Sequence, residues 1–203
     1  MNYWKEFIIF GGSLVLIPAA LAISAWLVAG RAWHKAWLWS VLFVFGLGMV
    51  AATQIAFIGW GIQIDLLDFQ GFSGHSMRSA AVAPVMSYLI LQNASQGIRL
   101  SGVLAGILFA AMMGIAVSVH DTHSASEAIG GCILGYGISF GFIRMSQPMK
   151  KPVLNRSAIA VIAASLFVTV FLAINLMTDS TYDWLRKSAL YLSGNDTPFT
   201  RRF

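Results

Sequence analysis

Charge is what this chain has least of. Lys, Arg, Asp and Glu make up 10% of its 203 residues, against about 25% in an ordinary soluble domain, and that shortage excludes a freely solvated globular fold. Cysteine is nearly absent as well: Cys132 is alone, so no disulfide can form within the chain, and its place inside an apolar run leaves the redox compartment unencoded. No low-complexity tract, internal repeat or polar linker divides the sequence, so residues 1–203 read as one membrane domain. What fills the space is apolar, with 58% hydrophobic residues.

A hydrocarbon core about 30 Å thick needs about 20 apolar residues of helix. Six stretches meet that need, near 7–30, 37–60, 77–93, 100–119, 127–146 and 157–177. The expected fold is therefore all-α, a polytopic membrane protein with six transmembrane helices in one bundle. The first stretch has small residues near its end, Ala20 to Ala25, as a secretory leader does. It is longer than a leader's apolar core, and its only early charges are Lys5 and Glu6, so it reads as a retained span.

With six spans, the connections after the first, third and fifth share one face. They carry Arg31, Lys35, Arg99, Arg144, Lys150, Lys151 and Arg156 and no acid. The other face holds both termini and the remaining loops, where Lys5, Arg78, Arg186, Lys187, Arg201 and Arg202 meet all eight acidic residues. Lys and Arg stay cytoplasmic during insertion, so the basic face is expected inside a bacterial-type inner (plasma) membrane, with both ends outside. The formal net charge of +5 then reflects topology and anionic inner-leaflet lipid rather than nucleic acid.

Several segments have structural readings. Residues 61–72 alternate Ile62, Ile64, Leu66, Leu67 and Phe69 with Gln63, Asp65 and Asp68, a pattern suited to the membrane–water interface. Within the tail 178–203, residues 181–192 place Trp184, Leu185, Leu190 and Tyr191 at roughly helical spacing, which predicts a short interfacial helix anchored by Trp184 and Tyr182. Gly102 and Gly106, Gly131 and Gly135, and Gly137 and Gly141 recur at four-residue spacing; close packing of helix backbones is the expected use of all six. Pro18 and Pro84 fall inside spans as kinks that a membrane helix tolerates.

Two segments carry chemistry. Ser73-Gly74-His75 opens the third span, where free helix N–H groups and the positive end of the dipole favour an anion. Gly74 permits close backbone approach, Ser73 offers a hydroxyl, and Arg78 lies one turn on as a charged donor. About fifty residues later His120-Asp121-Thr122-His123-Ser124-Ala125-Ser126-Glu127 opens the fifth span. His123 and Glu127 are four apart, so on a helical turn the carboxylate can hold one ring nitrogen, fix the tautomer and leave the other more basic. An imidazole oriented this way can act as nucleophile or general base. Ser126 reads as a helix cap and Ser124 as a local hydrogen-bonding residue.

These segments resemble two signatures of the type 2 phosphatidic acid phosphatase superfamily, P-S-G-H and S-R-x5-H-x3-D. Phe72-Ser73-Gly74-His75 keeps three of the four residues, and His123 to Glu127 keeps the histidine-to-acid spacing with Glu for Asp. The likeness covers roughly 50–145 and is closest to the membrane-bound branch. It implies a metal-independent lipid phosphatase or pyrophosphatase working at the outer face through a phosphohistidine. His123 would be the nucleophile, His75 the general acid and Glu127 the group orienting His123, with Ser73 and Gly74 on the phosphoryl oxygens. The resemblance implies no cofactor, and the partner it implies is an amphiphilic phosphate such as phosphatidate or a polyprenyl pyrophosphate.

The chain departs from the family at three cations. The S-R of the last signature falls on Ala116-Val117, and a first signature K-x6-R-P would put its Lys at Gln54 and its R-P at Gly61-Ile62. Arg78, His120 if protonated, Gln54 as a neutral donor and the helix N-terminus are the available substitutes on phosphate. Two other functions stay open on the residues alone: a non-catalytic relative that binds lipid or a partner, and a metal site built from His120, His123 and Glu127 with His75.

Overall fold

The computed structural model describes residues 3–120, 123–152, 160, 163–164, 167–168, 171 and 181–200. Most of the described chain is helical, with a small hairpin between two of the helices. Its helices are α1 (Tyr3–Gly11), α2 (Ser13–Ala29), α3 (Trp33–Trp60), α4 (Gly74–Ile90), α5 (Gln96–Val119), α6 (Ala125–Ser146) and α7 (Thr181–Ser193). Four segments are long and apolar enough to cross a bilayer: Phe7–Ala29, Trp33–Trp60, Gln96–Val119 and Ala125–Ser146. Several such helices in one chain make this a membrane protein. The first breaks only at Gly12, whose extended backbone separates α1 from α2.

Among the described residues four of the six expected spans meet that length and hydropathy. The sixth stretch, 157–177, lies largely outside the described residues. The third becomes α4, which has 17 residues and so measures about 25 Å, short of the roughly 30 Å hydrocarbon core. Its lower hydropathy has a packing cause. Met77, Ala80, Ala81, Val82, Val85 and Leu89 are all buried by protein, so α4 sits inside the bundle and need not be apolar toward lipid. Around it gather Leu16, Ile23 and Leu27 of α2, Trp39 and Phe43 of α3, and Ile138 and Phe142 of α6. Trp39 also donates from Nε1 to the Ala20 carbonyl at 3.0 Å, pinning α3 to α2.

Glycines set how closely α4 is approached. A Cβ on Gly131 would lie 2.6 Å from the Ser73 carbonyl oxygen and one on Gly106 would lie 2.7 Å from the backbone of Ala83 and Pro84; one on Gly135 would collide with the Met77 carbonyl. Without side chains there, α5 and α6 press directly on the α4 backbone. The expectation fails for Gly137 and Gly141, where a Cβ would meet nothing within 4 Å. They lie off the contact face, because in a helix two glycines beyond Gly135 project away from the seam that Gly131 and Gly135 share.

Residues 61–72 fold into a hairpin, with Ile64 and Phe69 exchanging backbone hydrogen bonds of 2.9 and 3.2 Å across a 3-10 turn, Asp65–Leu67. Helix α7 docks on α3 through Leu185 and Ala189 against Phe57 and Ile58. Asn195 donates to the Gly59 carbonyl at 2.7 Å and Phe199 N to Ile58 O at 2.9 Å, so the strap after α7 is tied to the end of α3. Tyr182, Trp184 and Tyr191 remain exposed.

Candidate active site

The site forms where the start of α4, the start of α6 and the hairpin meet. Ser73 is the N-cap of α4: its Oγ accepts from Ser76 N at 3.4 Å and from Ser76 Oγ at 3.2 Å. A hydroxyl that accepts both keeps its own proton for a further acceptor. Ser124 is the N-cap of α6, in a capping box with Glu127. This reverses the reading of Ser126 as cap, since Ser124 stands three residues before the glutamate that answers it. Ser126 instead donates to the Asp68 carbonyl at 3.3 Å, tying α6 to the hairpin.

Glu127 is the hub. Its carboxylate is fully buried and accepts hydrogen bonds that include His123 Nδ1 to Oε2 at 2.7 Å, Ser124 N to Oε2 at 3.3 Å, and Gln70 N to Oε1 at 2.9 Å. Donors of this kind offset the desolvation of a buried acid. They also make it rigid, so the imidazole it holds has a fixed direction and tautomer. His123 keeps 14% of its side chain exposed and so reaches the mouth of the site. The two signature segments are joined by backbone too, Ser73 N donating to Glu127 O at 3.1 Å.

Arg78 folds back over the first turn of α4, with Nη1 2.8 Å from where a Cβ on Gly74 would stand. It is 7% exposed, and its Nε has no hydrogen-bond partner among the described residues. A guanidinium buried with a donor unspent is a poised anion ligand. His75, at the helix mouth ahead of the apolar part of α4, lies within the electrostatic reach of both Arg78 and His123. Burial above all, and then those two groups, push its pKa down from 6.5 to about 3. His75 is therefore neutral at neutral pH until a negative charge enters beside it.

The other expected phosphate ligands are placed differently. Gln54 donates from Nε2 to the Phe72 carbonyl at 3.0 Å, beside Thr53, whose Oγ1 accepts from Phe72 N at 3.1 Å. The pair braces the peptide that precedes Ser73. His120 is the C-cap of α5 and half-buried. Val117, where the family arginine would stand, is fully buried with Met113 and Ala128 and has Phe7, Ile8 and Phe109 packed around it. Among the described residues no three His, Cys, Asp or Glu side chains gather as a metal site.

Sequence reasoning missed Gln70 and Thr53. Gln70 acts through its backbone N–H, which has no residue signature. Thr53 carried a weak one, as half of a polar pair, Thr53-Gln54, near the end of an otherwise apolar helix.

Comparison with known proteins bears on this arrangement. Residues 56–151 match the PAP2 superfamily, a range that holds both capped histidine segments. An uncharacterized 22.5 kDa protein in the cps region of Klebsiella pneumoniae is 34% identical over 199 residues, covering 98% of this chain and 95% of that protein. No solved structure matches the chain. With both signature segments inside the matched range and brought together around Glu127, the chain belongs to the PAP2 superfamily.

Proposed function

We propose that the protein is a membrane lipid phosphatase or pyrophosphatase that works at the outer face, without a metal, through a phosphohistidine. Membership of the PAP2 superfamily points to phosphoester hydrolysis. The observation that carries the finer reading is the 2.7 Å bond from His123 Nδ1 to the buried Glu127, set beside a buried Arg78 with an unspent donor.

In the first step the Nε2 of His123 attacks phosphorus, the bond to the lipid oxygen breaks, and His75 gives its proton to the departing oxygen. In the second, water attacks the phosphohistidine, His75 takes back a proton, and phosphate leaves with His123 restored. Glu127 stabilises the cation that develops on His123. Arg78, the Ser73 hydroxyl and the backbone at Gly74 hold the phosphoryl oxygens in place of the family cations. The general-acid role needs His75 protonated when substrate is bound: the substrate dianion opposes the influence of Arg78 and His123, and must also offset the burial that lowers His75 most. His120 is a further phosphate contact in this scheme, and Gln54 serves by positioning the loop.

Purified protein in detergent should release phosphate from at least one of phosphatidate, phosphatidylglycerol phosphate and a polyprenyl pyrophosphate. Vanadate should block the release and chelator should not. No release from any of them would leave a non-catalytic relative, the reading that the apolar Val117 and the engaged Gln54 favour. Loss of activity to chelator alone would refute metal independence.

A further inference from the structure

We infer that the hairpin 62–70 seats its tip in the acyl region of the surrounding leaflet and thereby positions the catalytic pair, so that Gln70 is a positioning residue acting through its backbone. The proposal rests on the reading of His123 and Glu127 given above. The tip is apolar and uncovered: Leu66 is 94% exposed, Ile62 63%, Leu67 56% and Ile64 51%. It follows directly on the lipid-facing end of α3, where Trp60 is also exposed, so the same acyl layer that covers the spans continues onto it. Asp65 at the turn accepts from Gln63 Nε2 at 2.6 Å, which draws its charge toward the polar side of the hairpin.

The other end of the hairpin is built into the site. Gln70 N donates to Glu127 Oε1 at 2.9 Å, the Asp68 carbonyl accepts from Ser126 Oγ at 3.3 Å, and the Phe69 ring packs edge-on to Phe72 at 5.2 Å. Phe72 and Phe69 in turn lie against Gly130 of α6. His123 and Ser124, at the entry to α6, donate to Glu127 from its own segment, and Gln70 donates from this hairpin. Tip and carboxylate are thus ends of one small element, closed by the Ile64–Phe69 bridge. Lipid that holds the tip holds the Gln70 N–H in place, and detergent or a polar tip loosens it.

Two variants separate the ends: Leu66→Asn with Leu67→Asn removes the apolar tip, and Gln70→Pro removes the N–H together with the side chain that donates to Gln63, so Gln70→Ala, which loses the side chain and keeps the N–H, is its control and should behave as wild type. In nanodiscs, nitrogen NMR of labelled histidine should show the His123 Nδ1 signal shifted the same way by both. Turnover of a lipid phosphate and of para-nitrophenyl phosphate should both fall, by about tenfold to a hundredfold in kcat, as a small misplacement of a reacting group does. Combining the variants should add little, because they interrupt one path. A wild-type His123 signal and kcat in the tip variant, or fully multiplicative losses, would overturn the inference. If Gln70→Pro does not fold, the tip variant decides alone. If the histidine signal moves as expected but the wild type releases no phosphate, the hairpin coupling stands and the phosphatase reading falls.

Discussion

At the scale of the residue, Glu127 joins stability to chemistry. Glu127→Ala leaves the N–H groups of Gln70 and Ser124 without their acceptor, and each buried donor left unpaired costs about 1–3 kcal/mol. Thermal unfolding of Glu127→Ala should therefore show a clear loss of stability. Glu127→Gln keeps one acceptor oxygen but sets an NH2 donor where the other stood, so it should unfold between wild type and Glu127→Ala and lose about a hundredfold or more in kcat. His75 supplies a pH signature. Its folded-state pKa of about 3 lies below the ordinary 6.5, so the unfolded chain binds the extra proton between those values. Stability from this group is present above pH 6.5 and is lost as pH falls toward 3. A plot of unfolding midpoint against pH should slope over that window, and His75→Gln should flatten it. The histidine–glutamate pair was legible in the sequence as a spacing of four, although His123 stands just before the N-cap Ser124 and Glu127 reaches back to it from the first turn of α6 rather than along one helical face. The engaged state of Gln54 was not, because only the fold shows which carbonyl lies opposite it.

At the scale of the element, the contacts of α4 with α5 and α6 make the site. Because Gly131 sits against the Ser73 carbonyl, a methyl added there must push the phosphate-binding turn away from α6. Gly131→Ala should destabilise by about 1–3 kcal/mol, as overpacking does, and weaken activity as well. Gly137→Ala faces open space and should be neutral, or stabilising by up to about 1 kcal/mol from helix propensity. Denaturation of the two variants side by side checks the assignment of faces. The sequence shows four-residue spacing in both places but not which pair looks at a partner, since that depends on the rotation of the helix in the bundle. The same limit applies to α4. Its enclosure by protein relaxes the demand for apolar residues, so a length read from hydropathy alone overshot its end. The tail helix was readable over 181–192 but its docking was not: of Trp184, Leu185, Leu190 and Tyr191 only Leu185 is buried, with Ala189, against α3.

At the scale of the whole molecule, the hairpin and both histidine segments gather at one end of the bundle, while Arg99, Arg144, Lys150 and Lys151 lie at the helix ends away from them. By the rule that basic loops stay inside, we propose that the site faces outward. In a Cys132→Ser background, Asp196→Cys, exposed in the strap tied to the same end of α3, should react with a membrane-impermeant maleimide added to intact cells, and Ile98→Cys only after permeabilisation. The reverse pattern would invert the topology. The central claim is a phosphohistidine on His123, and trapping it tests that claim most directly. Purified protein incubated briefly with lipid carrying radiolabelled phosphate, then quenched in alkali, should retain label that is stable to base and released by acid. His123→Ala should retain none, and His75→Ala should accumulate more or turn over less. Steady release of phosphate by His123→Ala at the wild-type rate would contradict the account.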